Sequence, residues 1–252
     1  MLKKSLFVLL AMILVFSTVS PYTALAQKGG TSQPTQKLIK EADDEVIYQL
    51  AIDEKTYEFH ERVKEVGNNK EKVKIKKYEL VGDKKKLVDT EVQFIEDDGE
   101  DIKVTDDSKK EITSVPSNPE ENSGLVSAAS YVTSSGGSYV ADIRWKQYSD
   151  GDAVAIIPTD HKFTRTTNYK YRDFRAAANN VRSAEYDIIS LGITGLLDAV
   201  VAAVRGGDLL SWTVAKRIAG KFAKAIPGVG TIWTIITYSQ KVNAAHREFN
   251  QI

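Results

Sequence analysis

The chain has 252 residues, 34 Lys+Arg against 34 Asp+Glu, 42% apolar residues, three histidines and no cysteine. That length allows one or two domains, and the composition excludes a collagen-like, wholly disordered or polytopic membrane chain. Without cysteine there is no disulfide, zinc ribbon, thiol nucleophile or lipoprotein anchor, and a neutral sum argues against a strongly basic nucleic-acid binder.

Residues 1–26 read as a secretory signal peptide. Lys3 and Lys4 open it, an apolar run extends from Leu6 to Phe16, and Ala24-Leu25-Ala26 places small residues where a signal peptidase inspects the chain. Cleavage is expected between Ala26 and Gln27; an uncleaved anchor is the alternative, although the apolar run is short for a bilayer span. An exported chain without cysteine points to a cell that does not rely on extracellular disulfides, commonly a Gram-positive bacterium.

The expected fold class is α+β. Residues 27–44 are polar and read as a flexible arm. Residues 45–113 alternate apolar and charged positions: Val46, Tyr48, Leu50 and Ile52, then Tyr57 and Phe59, Val73 and Ile75, Val92 and Phe94, Ile102 and Val104. This period of two predicts an acidic antiparallel meander or small sandwich, with turns at Gly67-Asn68-Asn69, Gly82-Asp83 and Asp98-Gly99. Tyr57 to Val66 also fits a helical spacing. Residues 114–138, rich in Ser, Gly and Pro, are the expected linker between two domains.

Residues 139–252 are expected to form a β-hairpin, with Tyr139, Ala141, Ile143 and Trp145 on one face and Ala153 to Ile157 as partner, followed by a Gly/Ala-rich helical bundle or hairpin. A helix is predicted from about Tyr169. Ile188 to Val204 is then almost wholly apolar and, as one helix, would extend roughly 25 Å, just short of the hydrocarbon thickness. Leu209 to Ile226 predicts an amphipathic helix, Pro227-Gly228-Val229-Gly230 a break, Thr231 to Tyr238 a third apolar run, and Ser239 to Ile252 a polar helix.

Neutrality hides a segregation of charge. Residues 27–138 carry a net −7 and residues 139–252 a net +5. Lys216, Arg217, Lys221 and Lys224 lie on one predicted helix, with Arg217, Lys221 and Lys224 on one face and Val214, Ile218, Phe222 and Ala225 on the other. Such a helix suits an anionic membrane surface, with Trp212 and Trp233 as headgroup anchors. It equally suits a surface helix packed on Ile188 to Val204. Asp198 fits soluble packing better than a permanent span, because a carboxylate at mid-bilayer costs about 2.5–3.5 kcal/mol.

Catalytic and metal patterns are weak. His60, His161 and His246 lie in separate segments, His60-Glu61 lacks the second His of a metalloprotease helix, and nucleophile-elbow, S-x-x-K and phosphate-loop patterns are missing from the sequence. Glu96 to Asp101 is acidic without the alternating ligand spacing of an EF-hand. No enzyme activity, cofactor or metal is expected, although a hydrolase remains an alternative.

Lys221 to Tyr238, KFAKAIPGVGTIWTIITY, preceded by ITGLLDAVVAAV from Ile193, is small, glycine-rich, cationic and helical in character. With the signal peptide and the cysteine-free charged β region, the layout resembles the large secreted bacteriocins of Gram-positive bacilli, the geobacillin-like high-molecular-weight group. The resemblance implies non-enzymatic killing of related bacteria, an anionic target membrane as partner and an immunity protein or receptor of unknown identity. It transfers no residue-level site. Bulk neutrality and Asp198 depart from the pattern of small cationic bacteriocins. The competing expectation is a secreted or wall-associated binding protein whose helices are plain core.

Overall fold

A computed structural model describes residues 36–99, 101–108, 111–115, 131–223 and 226–252. The signal peptide, its cleavage site at Ala26 and Gln27, residues 27–35 of the expected arm and Lys224 lie outside these residues.

The architecture is mixed α+β, with two antiparallel sheets preceding the C-terminal helices. The first sheet is a seven-stranded meander in chain order: β1 (Lys37–Glu41), β2 (Glu45–Ile52), β3 (Lys55–Gly67), β4 (Lys70–Val81), β5 (Lys84–Asp97), β6 (Ile102–Asp106) and β7 (Glu111–Val115). Tight turns join its long strands, and their positive φ angles, 56° at Asn69 and 58° at Gly82, match the right-handed strand twist. Alternation puts Val46, Tyr48, Leu50, Phe59, Val73, Ile75, Ile95, Ile102 and Val104 into the core. Tyr57 to Val66 belongs to β3, in which Tyr57–Arg62 pair with β2 and Tyr57–Glu65 with β4, and this settles the helix alternative in favour of strand.

The second sheet has the order β11-β10-β9-β8, with β8 (Val132–Ser138), β9 (Ile143–Tyr148), β10 (Asp152–Ile157) and β11 (Asp160–Arg165). The expected hairpin is its centre, β9 and β10, but Tyr139 and Ala141 lie in the turn before β9 rather than on its face, and Tyr139 is exposed. Two further expectations need correction here. Residues 37–41 of the arm form β1, and residues 132–138 of the linker supply β8, because pairing with β2 and β9 satisfies backbone groups that their polar composition leaves undetermined.

Helix α1 (Tyr169–Ser190) starts where the Asn168 side chain accepts a hydrogen bond from the Lys170 amide at 3.0 Å. It buries Tyr171, Phe174, Ala178, Val181, Ala184 and Ile188. The Ile188 to Val204 run is two elements rather than one helix. Gly192 and Gly195 adopt φ of 69° and 77°, which ends α1 and starts α2 (Leu196–Ala203). Asp198 is exposed in the first turn of α2, where its charge favours the helix dipole. Helix α3 is Trp212–Phe222, shorter than expected because Ala223 turns to extended backbone. Helix α4 (Val229–Gln251) joins the third apolar run and the polar tail in one element, and packs along α1 with Phe174 and Phe249 edge-on at 5.8 Å.

Residues from β2 to β6, β9, β10 and all four helices share one buried apolar cluster. Residues 45–113 and 139–252 therefore do not separate into two domains at 114–138: the described residues from 36 to 252 belong to a single compact unit. The opposite charges of the two segments meet within that unit, where ion pairing and shared burial hold them together.

Candidate functional site

The basic amphipathic helix is α3. Ser211 caps it, its hydroxyl accepting from the Val214 amide at 3.3 Å and donating to Gln93 Oε1 on β5 at 3.3 Å. Trp212, Val214, Ala215, Ile218 and Ala219 are buried, whereas Lys216 and Arg217 are exposed and Lys221 is half-buried. The 3.6-residue period thus separates the two faces as the sequence implies. Gly195, in its left-handed conformation, brings α2 close enough to Phe222 that a Cβ there would lie 3.2 Å from the ring.

The N-terminus of α3 is held by a residue 151 positions earlier. Glu61 on β3 is fully buried and accepts four hydrogen bonds: from Tyr48 Oη (2.8 Å) and the Trp212 amide (2.7 Å) on Oε1, and from the Thr213 amide (2.9 Å) and hydroxyl (2.6 Å) on Oε2. A carboxylate against free helix amides is favoured by their geometry and by the helix dipole. Burial pushes the Glu61 carboxyl up, against the pull of the Thr213 hydroxyl and amide, the Tyr48 hydroxyl and the Trp212 amide. Burial and the neighbouring Glu61 likewise push the Tyr48 hydroxyl well up.

Around this point four aromatic rings pack together. Tyr48 stacks on Phe59 with centroids 5.1 Å apart, Trp212 meets Trp233 edge-on at 4.9 Å, and Tyr48 lies 5.7 Å from Trp212 and 6.0 Å from Trp233. Trp212 has no exposed surface, and its Nε1 has no partner among the described residues. Trp233 is partly buried. In this conformation Trp212 is thus core material and not a surface anchor, because α4, α2 and the first sheet together cover the face of α3 that carries it.

The basic residues of α3 face acids of the first sheet. Lys216 Nζ donates to Glu41 Oε1 of β1 at 2.6 Å, and Arg217 forms a two-pronged pair with Glu71 of β4, its Nε at 3.2 Å from Oε2. Both bases are nearly half exposed, so each pair contributes about 0.2–1 kcal/mol. Further links join the same segments: Gln36 Nε2 donates to Thr237 Oγ1 at 2.6 Å, and Arg247 pairs with Asp53.

The sequence reading therefore named the bases of this site and missed the acids Glu41, Glu61 and Glu71. One sign of Glu61 was available: it continues the inward-facing series Tyr57, Phe59, Glu61, Val63, where a carboxylate needs a buried partner.

Two other buried carboxylates lie elsewhere. Glu58, on the opposite face of β3, accepts from Lys85 Nζ at 2.6 Å and Gln49 Nε2 at 3.0 Å and lies 2.5 Å from His60 Nε2. Burial would raise it, but Lys85, Gln49 and His60 together lower it to about 2. Glu185 of α1 accepts from the Ser138 and Tyr238 hydroxyls, and burial, its largest influence, pushes it up. His246 is pushed down by burial, and His161 is exposed. Among the described residues, no group of three His, Cys, Asp or Glu is placed to hold a metal ion, and no helix is long and apolar enough to cross a membrane.

The chain matches no protein-family model, no curated protein and no solved structure.

Proposed function

We propose that the chain is a secreted antibacterial protein of the large bacteriocin kind, acting on the membranes of related Gram-positive cells, and that the fold described above is its soluble, closed form. The observation that carries this reading is the composition and tethering of α3. A cationic amphipathic helix has its apolar face covered by α4, α2 and the first sheet, its N-terminus held by Glu61, and Lys216 and Arg217 neutralised by Glu41 and Glu71. An anionic bilayer offers substitutes for each contact: phosphate for the two carboxylates, and the acyl boundary for Ile218, Val214 and the Trp212 ring. Exposed ion pairs are the weakest of the contacts and are screened by salt, so they yield first, and the buried cap and aromatic cluster yield last.

The test is to apply the purified chain from Gln27 onward to lawns and suspensions of related bacilli while recording membrane potential. Growth inhibition with depolarisation is expected. Inhibition without depolarisation would sink the membrane mechanism, and no inhibition would sink the antibacterial reading.

A second reading, an exported binding protein whose helices are only core, is favoured by the complete burial of Trp212 and Ile218. Under it, intrinsic Trp fluorescence is unchanged by phosphatidylglycerol vesicles.

A further inference from the structure

The first sheet has two chemically different faces. Alternation sends Val73 and Ile75 of β4 into the core, so Lys70, Lys72, Lys74 and Lys76 of the same strand form a row on the outer face. At about 3.4 Å per residue the row extends roughly 20 Å. The neighbouring strand β3 adds Arg62 directly opposite Lys74 and Lys64 directly opposite Lys72. Arg62, Lys64 and Lys74 are exposed, and Lys72 and Lys76 are half-buried.

Like charges directly opposite each other in an antiparallel pair are destabilising, since their Cβ atoms lie about 4.5–5.5 Å apart. Lysine on an edge strand guards against stray pairing, but β3 and β4 are interior strands of the seven. Nor does the segment lack acids, because residues 27–138 carry a net −7. Its acids are placed elsewhere or already taken. Glu41, Glu61 and Glu71 lie on the inner face, where they meet α3. On the outer face Glu45 pairs with Lys40 and Arg62, Glu58 with Lys85 and His60, and Glu96 with Lys70. Asp43 and Asp44, in the turn before β2, are exposed and pair with no base among the described residues. Among those residues Lys64, Lys74 and Lys76 likewise have no acidic partner, and Lys72 meets only the Phe94 ring, at 5.7 Å.

We propose that this outer face, centred on Lys72, Lys74 and Lys76 with Arg62 and Lys64, binds a linear anionic polymer of phosphodiester chemistry, the poly(glycerol phosphate) of a Gram-positive cell surface. The shape of the charge decides the occupant. It is a stripe two strands wide: Thr90, Val92 and Phe94 of β5 border it opposite Lys76, Lys74 and Lys72, and Ile47 of β2 borders it opposite His60. A stripe suits a chain of phosphates laid along β4. A bilayer would instead be met by bases spread over a plane with apolar side chains protruding between them, whereas Ile47, Val92 and Phe94 are half-buried. Ammonium groups on flexible stems serve as point charges for successive phosphates and need no fixed fork geometry. The choice of a cell-surface polymer over nucleic acid rests on the export proposed above; the stripe itself does not, and it needs no release of α3.

The experiment titrates fluorescently labelled poly(glycerol phosphate) with the chain from Gln27 onward and follows anisotropy over a series of salt concentrations. Binding that weakens steeply with salt is expected. Lys72→Gln/Lys74→Gln/Lys76→Gln removes three charges, so the slope of log affinity against log salt is expected to flatten by about 2, and binding at about 0.1 M salt to weaken at least roughly tenfold. Its urea midpoint is expected to be unchanged or raised, because repulsion between β3 and β4 is relieved. Loss of binding is then not loss of folding. Arg165→Gln/Arg172→Gln, which takes charge from other elements, is expected to bind like the wild type. Failure of the wild type to bind the polymer, or equal binding by the triple lysine variant, would overturn the proposal. Tighter binding of phosphatidylglycerol vesicles, lost in the lysine variant, would give the face to the membrane, and tighter binding of a single-stranded oligonucleotide would give it to nucleic acid; either result overturns the polymer assignment. Polymer binding without depolarisation of target cells would remove the membrane mechanism and leave this surface standing.

Discussion

Replacing Glu61 by alanine tests the tether at its strongest point. The substitution strips the acceptor from the amides of Trp212 and Thr213 and from the hydroxyls of Thr213 and Tyr48, all in a fully buried place. Each buried donor left unpaired costs about 1–3 kcal/mol. The two hydroxyls can rotate but the two amides cannot, so the expected loss is about 2–6 kcal/mol, a large part of the roughly 5–15 kcal/mol that holds a typical domain. Glu61→Gln keeps one carbonyl acceptor but turns an NH2 toward two donors, and is expected to cost about 2 kcal/mol. Urea unfolding followed by Trp fluorescence measures both. Hydrogen exchange locates the effect: amides from Val214 to Ile218 in Glu61→Ala are expected to exchange at least about 100-fold faster, ahead of those in α1 and α4. A loss below about 0.5 kcal/mol would refute the reasoning. So would uniform destabilisation with no preferential exposure of α3, which would make Glu61 a general core support.

Glu58 stabilises the fold above the ordinary carboxylate value of 4.5, and that contribution is lost as pH falls toward about 2; because Lys85 is half exposed, it amounts to about 1–2 kcal/mol, and Glu58→Gln should flatten the stability profile between those limits. Glu61 and Glu185 have the opposite sign, since raised carboxyls bind protons more tightly in the folded chain; acid down to the ordinary carboxylate range should therefore not open the α3 tether, and a rise in α3 exchange between pH 7 and pH 5 would contradict this. Glu41→Ala/Glu71→Ala removes both exposed pairs and is expected to raise leakage from phosphatidylglycerol vesicles up to about fivefold at low salt, with the gain vanishing near 1 M salt. Gly137→Ala is expected to cost at least about 3 kcal/mol by thermal unfolding, because φ is 91° and the added Cβ would fall against the Ile143 carbonyl oxygen and 3.0 Å from Arg144 Cα.

Elements written in local periodicity could be read from the sequence. The alternation of β2, β4 and β6 and the Asn and Gly turns follow from residues a few positions apart, as does the amphipathic character of α3. Strands β1 and β8 could not be read in this way. Lys37–Glu41 and Val132–Ser138 carry little apolar alternation and owe their conformation to partners on one side. The division of Ile188 to Val204 depends on which glycines adopt positive φ, and glycine identity alone does not reveal that. The site divides similarly. Lys216 and Arg217 advertise themselves by helical spacing, but their partners Glu41 and Glu71 lie 175 and 146 residues away, where only the tertiary fold makes the pairing. An amphipathic ring such as that of Trp212 suits a membrane surface, but its apolar bulk serves the core equally well, and Tyr48 of the sheet, which helps to cover it, is remote in sequence.

The most direct test of release onto a membrane follows Trp212 alone. Trp145→Phe/Trp233→Phe leaves it as the single tryptophan of the three in the chain, and phosphatidylglycerol vesicles with brominated acyl chains quench any indole that reaches the acyl boundary. The account predicts strong quenching of Trp212 in these vesicles and none with brominated phosphatidylcholine. Full, unquenched Trp212 emission from protein that is bound to the anionic vesicles would contradict it, since α3 would then have remained packed in the core.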